Sequence, residues 1–156
     1  MNSLDVLNMI DAKHALFGLF FAFNNRLQMA GDAFYEEITC KQFFLMACME
    51  LFRDTPPTAT DLAKVMGCSR QNVKEILTSL EKKGFVALIP DENDKRKRIV
   101  TLTDKAMQTA AKYTAKENEF LNKLYDGVTE EQVKNAYYFL TKLEDNLKSI
   151  TEEIIK

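Results

Sequence analysis

Two short amphipathic stretches three residues apart constrain this chain more than any other feature. Residues 60–66 and 70–83 carry apolar side chains at helical spacing, and Gly67-Cys68-Ser69 between them reads as a tight turn whose serine is placed to cap the second helix. Residues 85–89 then have strand composition, Asp91-Glu92-Asn93-Asp94 has turn composition, and residues 98–102 form a second strand segment. A helix pair followed directly by a β-hairpin predicts a winged helix-turn-helix.

Long helices flank this unit. From about Asp5 to Ala30 the residues Leu7, Ile10, Ala15, Phe17, Leu19, Phe20, Phe21, Phe23 and Leu27 suit an extensively buried helix, which Gly31-Asp32 is expected to end. Being apolar on most sides, it needs several partners. Thr39-Cys40-Lys41-Gln42 has capping-box spacing and should open a second helix running to about Phe52, which Pro56-Pro57 cannot continue. Thr103 can cap a helix over residues 104–125, and Thr129-Glu130-Glu131-Gln132 opens the last one. In that last helix Val133, Ala136, Leu140, Leu143, Leu147, Ile150 and Ile154 alternate spacings of three and four, as an apolar seam against another helix requires. The seam can serve a second copy of the chain or the long first helix of the same chain.

Composition narrows the functional classes. At 156 residues and 46% hydrophobic content the chain can bury a core, and five glycines and three prolines suit a mainly helical protein. The first residues lack the basic segment and cleavage site of a secretory signal, and the apolar run 15–23 is far shorter than the ~20 residues that cross a bilayer. Cys40, Cys48 and Cys68 form neither an even set nor a Cys-x-x-Cys pair, so a reducing cytoplasm is expected and a zinc site is not. Nothing in the chain has the pattern of a nucleophile with its base, a paired carboxylate, a metal set or a phosphate loop, so the reading is not an enzyme and requires no cofactor.

The net charge of −2 is unevenly distributed. Residues 1–66 carry −3, residues 67–103 carry +3 and residues 104–156 carry −2. Screening confines the distant acids to ~10 Å at moderate salt, so the middle segment can hold a polyanion at one face. In the second helix of the pair Val73, Ile76, Leu77 and Leu80 should face inward, which turns Arg70, Gln71, Lys74, Glu75 and Thr78 outward. Gln71 suits an adenine edge, Arg70 a guanine or a phosphate, Thr78 a thymine methyl and Lys74 a phosphate; Ser69 and Asn72 sit in the first turn with them. Such a strip alone is most often only a solvated face. The hairpin shifts the balance, because Lys95, Arg96, Lys97 and Arg98 place four cations at its tip, where a minor groove can receive them. Double-stranded DNA is the expected partner.

On Asp61-Leu62-Ala63, Ser69-Arg70, Leu80-Glu81-Lys82-Lys83-Gly84-Phe85-Val86, Asp94-Lys95-Arg96 and Leu102-Thr103 the chain resembles the MarR family of bacterial regulators, most closely over residues 58–106. The resemblance implies that Asp94 orders the wing and that Arg96 reaches the minor groove. It also implies a homodimer built from the first and last helices, a pseudo-palindromic operator, and repression relieved by a lipophilic or phenolic effector. One departure is Ala106, where the family commonly has glycine. The expected fold is therefore mainly α with a small β-hairpin wing, a winged helix-turn-helix flanked by long N- and C-terminal dimerisation helices. Residues 1–38 and 104–156 would form the dimerisation region and residues 39–103 the DNA-binding lobe, in one compact domain overall.

Three features bear on control. Phe17, Phe20, Phe21, Met29, Phe34, Tyr35, Phe43, Phe44, Met46 and Met49 are numerous enough to line an apolar ligand cavity, although core packing accounts for them more simply, and no residue can be assigned to an effector. Cys40, at a helix start beside Lys41, has the setting of a low-pKa thiol, which makes a redox-sensing regulator one alternative, although an ordinary structural cysteine is the stronger reading. His14 stands alone and reads as structural. The other alternative is a winged-helix module that binds protein, against which the basic wing argues.

Overall fold

The computed structural model describes Asp5 and residues 9–154; Leu7 lies outside the described residues. Helix α1 spans Ala12–Phe34, α2 Cys40–Met49 with a 3₁₀ turn at Glu50–Phe52, α3 Ala59–Met66 and α4 Arg70–Lys82. Strands β1, Val86–Pro90, and β2, Arg98–Leu102, are followed by α5, Asp104–Leu124, and α6, Glu130–Ile154. The mainly α fold with a β-hairpin wing between long helices is thus present. Contacts divide the chain into two compact units, one up to Ala110 and one from Ala111 on.

In the first unit the core is formed where α2, α3, α4 and the hairpin meet: Leu45, Leu62, Val73, Leu77, Leu80, Phe85 and Val100 are all at most 1% exposed. Both expected caps on the way into this core are formed. Thr39 Oγ1 accepts the Gln42 amide at 3.2 Å while Gln42 Oε1 accepts the Thr39 amide at 3.1 Å. Ser69 Oγ accepts the Asn72 amide at 3.1 Å at the start of α4. Between the two helices of the pair Gly67 has φ 64°, a left-handed conformation that glycine reaches without a Cβ penalty, and the Cys68 amide closes back on the Ala63 carbonyl at 3.1 Å. That single residue turns the chain from α3 into α4.

The hairpin is antiparallel with Val86 opposite Leu102 and Pro90 opposite Arg98. Phe85, expected in the strand, instead sits buried ahead of it, its amide donating to the Leu80 carbonyl at 2.9 Å to close the end of α4. The segment before α3 joins β2 from the other side: the Val100 amide donates to the Pro57 carbonyl at 2.8 Å, and Thr58 bridges Ile99. The wing base is thereby tied to the first turn of α3. Ala106 is accommodated at the entry to α5, buried at 3% exposure with its amide 3.3 Å from Thr103 Oγ1.

Two expectations about α1 fail. The helix does not stop at Gly31-Asp32 but runs to Phe34, and Gly31 instead makes room for α2: a Cβ there would lie 2.5 Å from Cys40 Sγ and 2.6 Å from Cys40 Cβ. Asp32 is likewise structural, its Oδ1 accepting the Cys40 amide at 2.7 Å. Nor is α1 extensively buried. Gly31 is its only buried residue, and Phe17, Leu19, Phe21, Phe23 and Met29 are exposed. An apolar helix needs several neighbours to cover it, and a single chain leaves this face open.

In the second unit α6 opens with the expected capping box at Thr129 and Gln132, with bonds of 2.8 and 3.2 Å. None of its residues is buried. Along the predicted seam Val133 and Leu143 are half-buried, whereas Ala136, Leu140, Leu147, Ile150 and Ile154 are exposed.

Candidate nucleic-acid interface

The buried side of α4 follows the amphipathic pattern, with Val73, Leu77 and Leu80 inside and Ile76 half-buried. Arg70, Gln71, Asn72, Lys74, Glu75 and Thr78 are all exposed. Thr78 donates its hydroxyl proton to the Lys74 carbonyl at 2.8 Å, which leaves its methyl group and an oxygen lone pair for an outside partner.

The wing is held by a carboxylate that sequence reasoning treated only as turn composition. Asp91 Oδ1 accepts the amides of Asn93 at 2.7 Å and Asp94 at 2.9 Å, and these bonds, that from Asp94 foremost, hold its carboxyl below the usual range. The turn closes through the Lys97 amide to the Asp94 carbonyl at 2.8 Å and the Asp91 amide to the Lys97 carbonyl at 3.1 Å. Asp94 Oδ1 in turn accepts from the Arg96 amide at 3.1 Å and from Arg96 Nε at 3.3 Å. Arg96 remains 94% exposed, so the pair aims the guanidinium without retracting it. Arg98 donates from one terminal nitrogen to the Leu88 carbonyl at 2.9 Å and so lies along the hairpin.

Wing and helix pair enclose a groove of about 650 Å³. Arg70, Lys74 and Thr78 line it from α4, Arg96, Lys97 and Arg98 from the wing, and Thr58, Thr60 and Asp61 from the start of α3. Five cations face two carboxylates, Asp61 and Glu81, in this lining. Asp61 is engaged in a capping box, accepting the Thr58 hydroxyl at 2.7 Å and the Thr58 amide at 2.9 Å, which together keep its carboxyl below the usual range. A concave, cationic surface with threonine hydroxyls among the charges fits a phosphate backbone on its rim and polar edges at its floor. Of the residues expected at a DNA surface, Ser69, Gln71, Asn72 and Lys95 are exposed but lie outside the groove lining. The α3 start was missed as a contributor. Its Thr58-x-x-Asp61 capping signature was legible, but the approach of β2 to Pro57 that carries it to the wing was not.

The residues considered for control divide. Met46 and Met49 are buried in the core, and Tyr35 and Phe43 stack at 4.7 Å against it, whereas Phe17, Phe21, Met29 and Phe44 are exposed. The thiol of Cys40 is pushed up, first by burial and then by the Asp32 carboxylate, opposite to the expectation from Lys41 and the helix start. Burial also pushes up the Cys48 thiol, with Cys68 adding to it. His14 Nδ1 lies 3.1 Å from Asp11 Oδ2 at the exposed start of α1. Among the described residues no group of three or more His, Cys, Asp and Glu is disposed to hold a metal, and no helix is long and apolar enough to cross a membrane.

The model of the MarR family matches residues 38–97, from the start of α2 to the tip of the wing. Over that segment the chain is similar to the MarR family. The transcriptional activatory protein BadR of Rhodopseudomonas palustris is 29% identical over 93 residues, which cover 59% of this chain and 53% of BadR, so the match spans about half of that relative's length. Among solved structures, the Staphylococcus aureus MepR–DNA complex has a TM-score of 0.74 at 23% identity, covering 83% of this chain and 95% of MepR. A MarR/EmrR family regulator from Acinetobacter sp. ADP1 reaches 0.78 at 15% identity, covering 90% of this chain and 99% of that one. At these identities the structures bear on the fold alone, which this chain shares with them over 83% and 90% of its length.

Proposed function

We propose that this protein is a sequence-specific, DNA-binding transcriptional regulator that acts on a pseudo-palindromic operator as a homodimer and responds to a small lipophilic or phenolic effector. The observation that carries this reading is the shared groove: Arg70, Lys74 and Thr78 on the second helix of the pair converge with Arg96, Lys97 and Arg98 on the wing. In this reading α4 enters the major groove, Arg96, held by Asp94, enters the adjacent minor groove, and Ser69, Gln71, Asn72 and Lys95 complete the contact surface. Two such helices in a symmetric dimer would meet successive major grooves about 34 Å apart. The open apolar faces of α1 and α6 support dimerisation, since each exposes side chains that a second copy can cover. Repression is the expected sign of regulation, and the regulator class has no catalytic step.

The test is a fluorescence anisotropy titration on the DNA upstream of the protein's own gene and on a scrambled duplex of equal length, each at two salt concentrations. Tight binding to one duplex that survives at the higher salt supports the reading; equal binding to both at either salt overturns the sequence specificity. Arg96→Ala should flatten the salt dependence by about 0.9 in log–log slope for each phosphate it no longer neutralises, while Gln71→Ala should mainly relax sequence preference. The cationic groove disfavours the protein-binding alternative, and the raised Cys40 and Cys48 thiols disfavour the redox-sensing one.

A further inference from the structure

Up to its last turn, where Lys82 stands, the outermost ridge of α4 is not cationic. At roughly 100° per residue, the side opposite Val73, Leu77 and Leu80 runs through Gln71, Glu75 and Thr78, with Glu75 near its centre. Glu75 is exposed, and its Oε1 accepts a hydrogen bond from Gln71 Nε2 at 3.1 Å. Among the described residues it forms no ion pair; Arg70 and Lys74 line the groove to one side instead. A carboxylate at this position is costly on a surface that serves only to bind phosphates, because like charges repel across the interface. At base edges the outcome depends on the base. Guanine offers N7 and O6 and thymine offers O4, all acceptors that oppose a carboxylate; adenine sets its N6 amino donor beside the acceptor N7, and cytosine alone offers an amino donor, N4, with no acceptor on the same base edge. The bond from Gln71 fixes one carboxylate oxygen and leaves the other to accept a hydrogen bond from outside.

We propose that Glu75, oriented by Gln71, is a specificity-determining residue that accepts a hydrogen bond from the N4 amino group of a cytosine in the major groove of each half-site. This inference rests on the DNA-binding reading above and adds to it a base requirement that the cationic residues do not impose. Glu75 thus lowers affinity for most sequences and restores it where a cytosine meets it, which separates the operator from bulk DNA.

The experiment is selection of full-length wild-type protein, Glu75→Gln and Glu75→Ala on duplexes randomised across both half-sites, followed by anisotropy on single-base variants of the winning duplex. Wild type should retain cytosine at one position per half-site. Glu75→Gln should change that position to adenine, the base whose N6 and N7 a glutamine amide matches, with a preference of roughly tenfold. Glu75→Ala should become indifferent there while keeping the other positions. If both variants bind every sequence more tightly and none differently, the carboxylate only repels DNA and the inference falls. An unchanged preference in both variants overturns it equally, with the DNA-binding reading intact; a wild-type protein that selects no sequence overturns both.

Discussion

Replacing Gly31 with alanine should destabilise the protein, although on helix propensity alone it should do the reverse. In an isolated helix interior the exchange is favourable by about 1 kcal/mol. Here the added Cβ would stand 2.5 Å from Cys40 Sγ and 2.6 Å from Cys40 Cβ, so α1 and α2 would have to separate by about 1 Å to restore ordinary van der Waals spacing. The obstruction is the root of a side chain, not its flexible end, and any separation strains the Asp32 bond to the Cys40 amide. Overpacking of this kind costs about 1–3 kcal/mol, and the upper half of that range, less the helix gain, leaves a net loss of about 1–2 kcal/mol. With a urea m-value of about 2 kcal/mol per molar, the unfolding midpoint should fall by about 0.5–1 M, measured at one protein concentration because a dimer would make stability concentration-dependent. A double-mutant cycle sharpens the test. Cys40→Ala removes only Sγ and leaves the 2.6 Å approach, so it should not rescue Gly31→Ala, whereas Cys40→Gly removes both atoms and should. A midpoint that stays or rises in Gly31→Ala would refute the argument that close approach, not helix termination, accounts for this glycine.

Other expectations follow from particular side chains. Gln42, 7% exposed, donates to Ser79 at 2.8 Å and accepts from Lys83 Nζ at 3.0 Å, tying the start of α2 to the end of α4; Gln42→Leu should therefore cost about 1–3 kcal/mol in urea unfolding, more than Ser79→Ala. Asp61 has a lowered pKa, so its stabilisation is present above the unfolded value near 3.8 and is lost as pH falls through the lower folded value. The stability difference between wild type and Asp61→Asn should accordingly shrink with acidification and vanish once the carboxyl is protonated in both folded and unfolded chains, as a series of urea melts at falling pH would read. Leu147→Asp on the exposed α6 seam should shift the protein from dimer to monomer in sedimentation velocity at micromolar concentration; a wild-type monomer there would remove the dimer from the proposal.

What could be read along the chain was whatever rests on near neighbours. The Thr39–Gln42 and Thr129–Gln132 capping boxes, the Gly67 turn, the Ser69 cap and strand 98–102 all form as their local chemistry requires, because each depends on residues within one turn or one hairpin. The inward and outward faces of α4 were equally legible, since helical periodicity alone orders them. The same local rules misread Gly31-Asp32 as a helix stop. A glycine inside a helix has no local explanation when its cause is a side chain from the next helix. At Cys40 the local features and the packing oppose one another: its helix-start position and Lys41 favour a thiolate, but burial and the Asp32 carboxylate favour the thiol, in line with the ordinary structural reading.

The order of elements, the charge of the wing and the polar face of the second helix were therefore properties of the sequence by itself, being sums over adjacent residues. Only the tertiary structure decided that Pro57 would pair with Val100 and that the start of α3 would join the wing and α4 in one groove. It also left the apolar faces of α1 and α6 open. These outcomes turn on which distant surfaces meet, and the meeting of distant segments is set by packing of the whole core, which no local pattern encodes.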